Sequence, residues 1–229
     1  MSVKKLKTLS AQSGQTLIET LVASFVLVMG ISAALGLANY SLSATNGIKQ
    51  QLVGMGLARE GIEVIKNMRD TNWLKASYST SCYNFSTGDD TAICYQNWLD
   101  ATSDGGYNIS AGTSATPNRY SLRFNSASTL PWSAVNTTTD FGLNMASGTG
   151  VQYNGGDGVT PMNSNSGFAR RITIIQDTFA PFNRNTGGRV KVSSEVWWAG
   201  KGCTMTTNPN PDKKCSVTLE TYLTNWRVF

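Results

Sequence analysis

The chain has 229 residues, 40% hydrophobic and only 14% charged, enough for one sizeable folded domain plus an extended element. It contains no histidine, which removes the commonest general base and the commonest zinc ligand and excludes a Ser-His-Asp hydrolase. The formal net charge is +5. Setting aside Lys4, Lys5 and Lys7 leaves sixteen basic against fourteen acidic residues, a balance of +2 with no basic patch of the kind that marks nucleic-acid binding.

Residues 1–14 (MSVKKLKTLSAQSG) are short, basic and polar, and end in Gly14. From Thr16 the chain turns apolar, and after Glu19 no charge occurs until Lys49. As a helix, Thr20 to Ala44 would be about 37 Å long, enough to cross about 30 Å of hydrocarbon. Lys4, Lys5 and Lys7 then orient the chain with its N-terminus on the cytoplasmic side and the rest outside. Glu19 is out of place in a plain anchor, because a carboxylate at bilayer depth costs about 2.5–3.5 kcal/mol near the centre and less toward the interface. The nearest cation before it, Lys7, is twelve residues away. A cut between Gly14 and Gln15 would make a new α-amino group one helical turn from Glu19, within reach of a staggered neighbour's Glu19. At 4 Å and an effective dielectric of 20 that attraction is about 4 kcal/mol, enough to offset desolvation and select one axial register. A cleaved secretory signal, with a cut after Gly36-Leu37-Ala38, and an uncut signal anchor are the competing readings; Glu19 counts against both.

The run Ser13-Gly14-Gln15-Thr16-Leu17-Ile18-Glu19, with its basic leader and apolar helix, resembles the prepilin cleavage site of type IV pilins and type II secretion pseudopilins. The resemblance implies that a membrane prepilin peptidase cuts after Gly14 and methylates Gln15. It also implies that Glu19 pairs with a neighbour's N-terminus during assembly on a platform protein. The expected fold is α+β: a long N-terminal helix, half membrane-inserted and half amphipathic, packed on an antiparallel sheet. Three departures stand out: Gln15 replaces the commoner Phe or Met, Thr20 replaces an aliphatic, and Gly36 stands where many major pilins carry a helix-bending Pro.

Along the chain this predicts a leader over 1–14, a membrane or filament-core helix over 15–44 and an amphipathic continuation over 45–73. In that continuation Ile48, Leu52, Met55, Ile62, Ile65 and Met68 follow spacings of four and three and form the stripe expected to pack on the sheet. Trp73 is expected to anchor the helix end. Residues 74–167 read as a loop-rich insertion with some short strands; Tyr120–Phe124 alternates like one. In 168–229, Arg170–Gln176, Arg189–Trp198 and Ser216–Trp226 alternate apolar and polar residues, as an antiparallel meander requires.

The four cysteines, Cys82, Cys94, Cys203 and Cys215, form no CxxC pair. Cys82–Cys94 and Cys203–Cys215 are the simplest of three pairings, each stabilising by about 3 kcal/mol in an oxidising compartment; free buried thiols are the alternative. No GxxxxGK loop occurs. Asp100, Asp104 and Asp157 are the carboxylates that polar turns offer to calcium, without EF-hand spacing. Neither a resident cofactor nor enzyme activity is expected. Asn84, Asn108 and Asn136 stand in N-x-S/T sequons and are expected on exposed loops.

The expected function is a structural subunit, minor or tip rather than major, of a type IV pilus or type II secretion-type pseudopilus. It starts as a single-pass inner-membrane precursor and ends in an extracellular pilus or periplasmic pseudopilus. Its partners would be the prepilin peptidase, other pilin or pseudopilin subunits, the platform protein and the membrane; nucleic acid joins them only in a DNA-uptake pilus. The alternative is a monomeric, membrane-anchored, adhesin-like protein whose β-rich head binds a surface.

Overall fold

The structure is a computed structural model that describes residues 15–76, 98–102, 105–125, 128–145, 153–154, 166–177, 189–200, 202–206 and 215–224. The chain divides into two compact units, Met1–Ile48 and Lys49–Phe229. One helix, α1 (Gln15–Ala76), runs through the boundary. Seven strands follow: β1 (Asn118–Phe124), β2 (Trp132–Asn136), β3 (Asn144–Met145), β4 (Tyr153–Asn154), β5 (Phe168–Gln176), β6 (Arg189–Trp198) and β7 (Ser216–Thr224). The fold is α+β, as expected.

The second unit is built on a five-strand antiparallel sheet in the order β2-β1-β5-β6-β7. The two-residue strands β3 and β4 attach to β1 where Arg123 pairs with Asn154. The meander expected at the C-terminal end is present: β5 and β6 pair from Phe168↔Trp198 to Gln176↔Val190, and β6 and β7 from Arg189↔Thr224 to Trp197↔Ser216. Strand β1 extends the expected Tyr120–Phe124 segment by two residues at its start. With β2 it shows that the middle of the chain contributes two sheet strands as well as loops.

Side chains alternate across each strand, so one face of the sheet turns to α1 and the other away from it. Ile172, Ile174, Val190, Val192, Tyr120, Leu122 and Leu223 form the main core with Val64, Ile65, Met68 and Trp73 of the helix. Trp73 is thus anchored in the head, as expected. A second cluster joins Leu57 and Ala58 to Leu143, Val196, Trp198 and the Cys203–Cys215 bridge. A third forms on the opposite face, where Phe141, Ala169 and Trp197 pack together, the two rings 6.1 Å apart and edge-on.

The helix face that meets the sheet differs from the expected stripe. Ile62, Ile65 and Met68 are buried, whereas Ile48, Leu52 and Met55 are exposed. The contact line near Trp198 runs instead through Gly54, Ala58 and Gly61. A β-carbon on Gly54 would stand 2.6 Å from Trp198 Cζ3, and one on Gly61 would stand 2.6 Å from Ser194 Oγ and 2.8 Å from Ile172 Cδ1. The physical reason is close approach: the strands supply the bulk at this contact, so the helix must supply small residues. Arg170 occupies this interface too; its Nη1 donates to the Leu57 carbonyl at 3.1 Å and lies 3.4 Å from Glu60 Oε1.

The helix end holds the loop that follows it in the described chain. Asn72 is fully buried; its Nδ2 donates to the carbonyls of Trp98 and Tyr107 at 3.0 Å each, and its Oδ1 accepts from the Tyr107 N–H at 2.6 Å. Lys75 Nζ donates to the Gly105 carbonyl at 2.6 Å. The solvent face of the sheet carries cross-strand ion pairs, Arg171–Glu195 and Lys191–Glu220, both at 2.8 Å. Arg189, paired with Asp177, lies over the Tyr222 ring at 4.5 Å.

Candidate functional site

The segment singled out by its sequence is the first half of α1. From Leu17 to Leu42 every large apolar side chain is exposed, with relative exposures from 53% for Ile31 to 74% for Tyr40. Among the described residues this is the helix long and apolar enough to cross a membrane, which makes it a candidate membrane anchor. Its regularity follows from the sequence: no proline interrupts it, and Gly30 and Gly36 face open space.

Three of the hydroxyls in this helical segment are satisfied from within. Thr20 Oγ1 donates to the Leu17 carbonyl, Ser24 Oγ to the Leu21 carbonyl and Thr45 Oγ1 to the Ser41 carbonyl, each at 2.9 Å. A helix can therefore bring these groups into an apolar medium without leaving a donor unmet. Glu19 has no such remedy, because an ionised carboxylate has no proton to return to its own backbone. It is an exposed carboxylate on an apolar helix surface, with no further charge before Lys49.

Gln15 and Glu19 both belong to α1, four residues and so about one turn apart. Gly14, Lys4, Lys5 and Lys7 lie outside the described residues. Cys203 and Cys215 are joined, with an S–S distance of 2.12 Å and Cα atoms 6.2 Å apart. Cys82 and Cys94 lie outside the described residues, as do Asp104 and Asp157. Asp100 is described, and its Oδ1 accepts from Thr102 N–H at 3.2 Å and Thr102 Oγ1 at 2.8 Å, an Asx turn. Among the described residues no three His, Cys, Asp or Glu side chains cluster as metal ligands would.

Sequence reasoning missed two elements that shape the head. Gly54, Ala58 and Gly61 repeat at intervals of four and three, a signal masked by the larger Leu52, Met55 and Ile62 beside them. Asn72 carries no local signal, because its partners are 26 and 35 residues away.

No protein-family model, no curated protein and no solved structure matches the chain. The fold itself, one long apolar N-terminal helix with an antiparallel sheet, is compatible with a pilin-like architecture.

Proposed function

We propose that the chain is a structural subunit, minor or tip, of a type IV pilus or type II secretion-type pseudopilus. The supporting observation is the apolar surface from Leu17 to Leu42 that carries one carboxylate, Glu19, among hydroxyls of which Thr20 and Ser24 are already satisfied within the helix. A membrane alone covers the apolar surface but leaves the charge without a partner. Neighbouring copies of the same helix, each with a free α-amino group at Gln15, cover the surface and neutralise the charge together. In this reading Lys4, Lys5 and Lys7 orient the precursor, and a prepilin peptidase cuts between Gly14 and Gln15 and methylates the new terminus. Glu19 then selects the neighbour's N-terminus, and a platform protein lifts the helix from the inner membrane into an extracellular pilus or periplasmic pseudopilus. The head serves as structure and carries no reaction.

The intact mass of the protein purified from its own cell tests this. A chain beginning at Gln15 and found in filaments is the expected result. A polymer whose subunits still begin at Met1 would overturn the mechanism, and a monomer beginning at Met1 would leave the anchored, surface-binding alternative.

A further inference from the structure

Among the described residues the sheet of the head ends in two edges, β2 and β7, and the hydrogen-bonding pattern shows which backbone groups each presents. Trp198 N–H donates to the Cys215 carbonyl at 3.0 Å, one step beyond the pair Trp197↔Ser216. Bonded pairs alternate along an antiparallel ladder, so Val217, Leu219, Thr221 and Leu223 turn their groups to β6. Ser216, Thr218, Glu220, Tyr222 and Thr224 turn theirs outward. On the other side, Thr137 N–H donates to the Arg119 carbonyl at 3.0 Å and Asn125 N–H to the Pro131 carbonyl at 2.7 Å. By the same alternation Ser133 and Val135 bond to β1, while Trp132, Ala134 and Asn136 face outward; the Trp132 N–H already meets the Tyr107 hydroxyl, which leaves the Trp132 carbonyl and both groups of Ala134 and Asn136 for a further strand. Among the described residues no strand pairs with either outer edge.

Strand β7 lacks the devices that usually protect an edge. It is nine residues long, without Pro, Gly or Lys, and its one charge, Glu220, is already engaged by Lys191.

The two edges also match each other. The five strands alternate in direction, so β2 and β7 run the same way. The outward-turned residues of β2 carry side chains on the helix face, as the packing of Trp132 and Ala134 on the main core shows. Those of β7 carry side chains on the solvent face. In a parallel ladder, a residue that turns both groups to its partner bonds the two residues flanking the one opposite. Opposite edges of unlike parity are therefore what parallel pairing needs to keep both helix faces on one side. An antiparallel β7–β2 contact would turn one head over.

We propose that copies of this chain join edge to edge, β7 of one head pairing in parallel with β2 of the next. The register places Trp132 opposite Val217, Ala134 opposite Leu219 and Asn136 opposite Thr221, which matches aromatic with β-branched and polar with polar; shifting by two residues sets Asn136 against Leu223. The solvent-face pair is then Ser133 opposite Thr218. This contact is head-to-tail, and sheet twist adds a rotation at each step, so repetition gives an open series of copies. A two-fold β7–β7 contact would close at two copies and reverse the Lys49–Ala76 helix of one. The inference rests on the reading of the chain as the subunit of a repeating, polar assembly.

Ser133 and Thr218 lie on opposite edges of one head, four strand spacings or about 19 Å apart, too far for a bond within one copy. In the full-length chain, Ser133→Cys/Thr218→Cys under mild oxidation is expected to give a ladder of disulfide-linked multimers, and each single variant only monomer. Adding Glu220→Pro, which removes an outward N–H and spares the β6 ladder, is expected to abolish the multimers while the head stays folded and protease-resistant. Dimers from Thr218→Cys alone, or accessible thiols without a ladder, would overturn the proposal. Membranes and filaments are assayed separately. Filaments without the ladder sink the edge contact alone; a ladder in membranes with no filament sinks the filament reading alone.

Discussion

Trp198 stacks its indole directly on the backbone of Gly54, so closely that a β-carbon there would lie 2.6 Å from Cζ3 and 3.2 Å from Cε3. Two positions on, Gly56 has nothing within 4 Å of its would-be β-carbon and is exposed. The two glycines therefore predict opposite outcomes. Gly56→Ala gains helix propensity and is expected to stabilise the head by about 0.5–1 kcal/mol. Gly54→Ala makes the same gain but must displace a ring that packs 5.8 Å from Phe168, an overpacking cost of about 1–3 kcal/mol, so it is expected to destabilise. Denaturant midpoints of the two variants check the contrast; equal shifts would mean that Gly54 makes no close contact.

Asn72→Ala is expected to cost about 3 kcal/mol. It removes the donor that Asn72 gives the Trp98 carbonyl and leaves the Tyr107 N–H unmet, while the Tyr107 carbonyl keeps the Ala101 N–H at 3.0 Å; a buried group left unmet costs about 1–3 kcal/mol. Hydrogen exchange at Tyr107 and Ile109 should rise before global unfolding. A uniform loss of protection across the sheet would show that Asn72 does more than hold this loop.

Opening the Cys203–Cys215 bridge is expected to cost about 3 kcal/mol, because it releases a loop with a sequence separation of 12. Both sulfurs sit in the cluster with Leu57, Ala58 and Trp198, so the effect should reach the helix contact. A Cys203→Ala/Cys215→Ala double variant with an unchanged unfolding midpoint would contradict this.

Alkaline pH should weaken the head. Burial raises the Tyr107 and Tyr120 phenols above their ordinary value of about 10 and outweighs the donors at each phenolic oxygen, the Trp132 N–H at Tyr107 and the Ser110 and Asn118 side chains at Tyr120. In the unfolded chain each phenol loses its proton first. Their contribution is thus complete below about pH 10 and falls as pH rises through the higher folded values. Tyrosinate absorbance should show Tyr107 and Tyr120 titrating late, and the midpoint of a Tyr107→Phe/Tyr120→Phe variant should fall less steeply above pH 10.

Glu19→Val is expected to leave membrane insertion intact, or improve it, while abolishing or scrambling filament assembly. Gly14→Ser or a bulkier residue is expected to block processing, read as an intact mass that retains the first fourteen residues. Normal incorporation of the Glu19 variant into filaments would remove the basis for the proposed role of that carboxylate.

Where the pattern is local, the sequence is a sufficient guide. The apolar run after Thr16, the isolation of Glu19, the alternation in β5, β6 and β7, and the pairing of Cys203 with Cys215 all follow from spacings of a few residues. Hydrophobic period and loop length act over that distance, so the α+β class and the meander are legible without coordinates. The tertiary structure alone decided which stripe of α1 meets the sheet and what lies at its edges. The two stripes share a period but lie about a third of a turn apart around the helix, and the bulk of Trp198 and Arg170, more than a hundred residues away, selects the one lined with glycine and alanine. Asn72 likewise has its partners fixed only once the chain has closed over 26 and 35 residues. Edge parity between β2 and β7 depends on five strands taken together, and no window of sequence contains it.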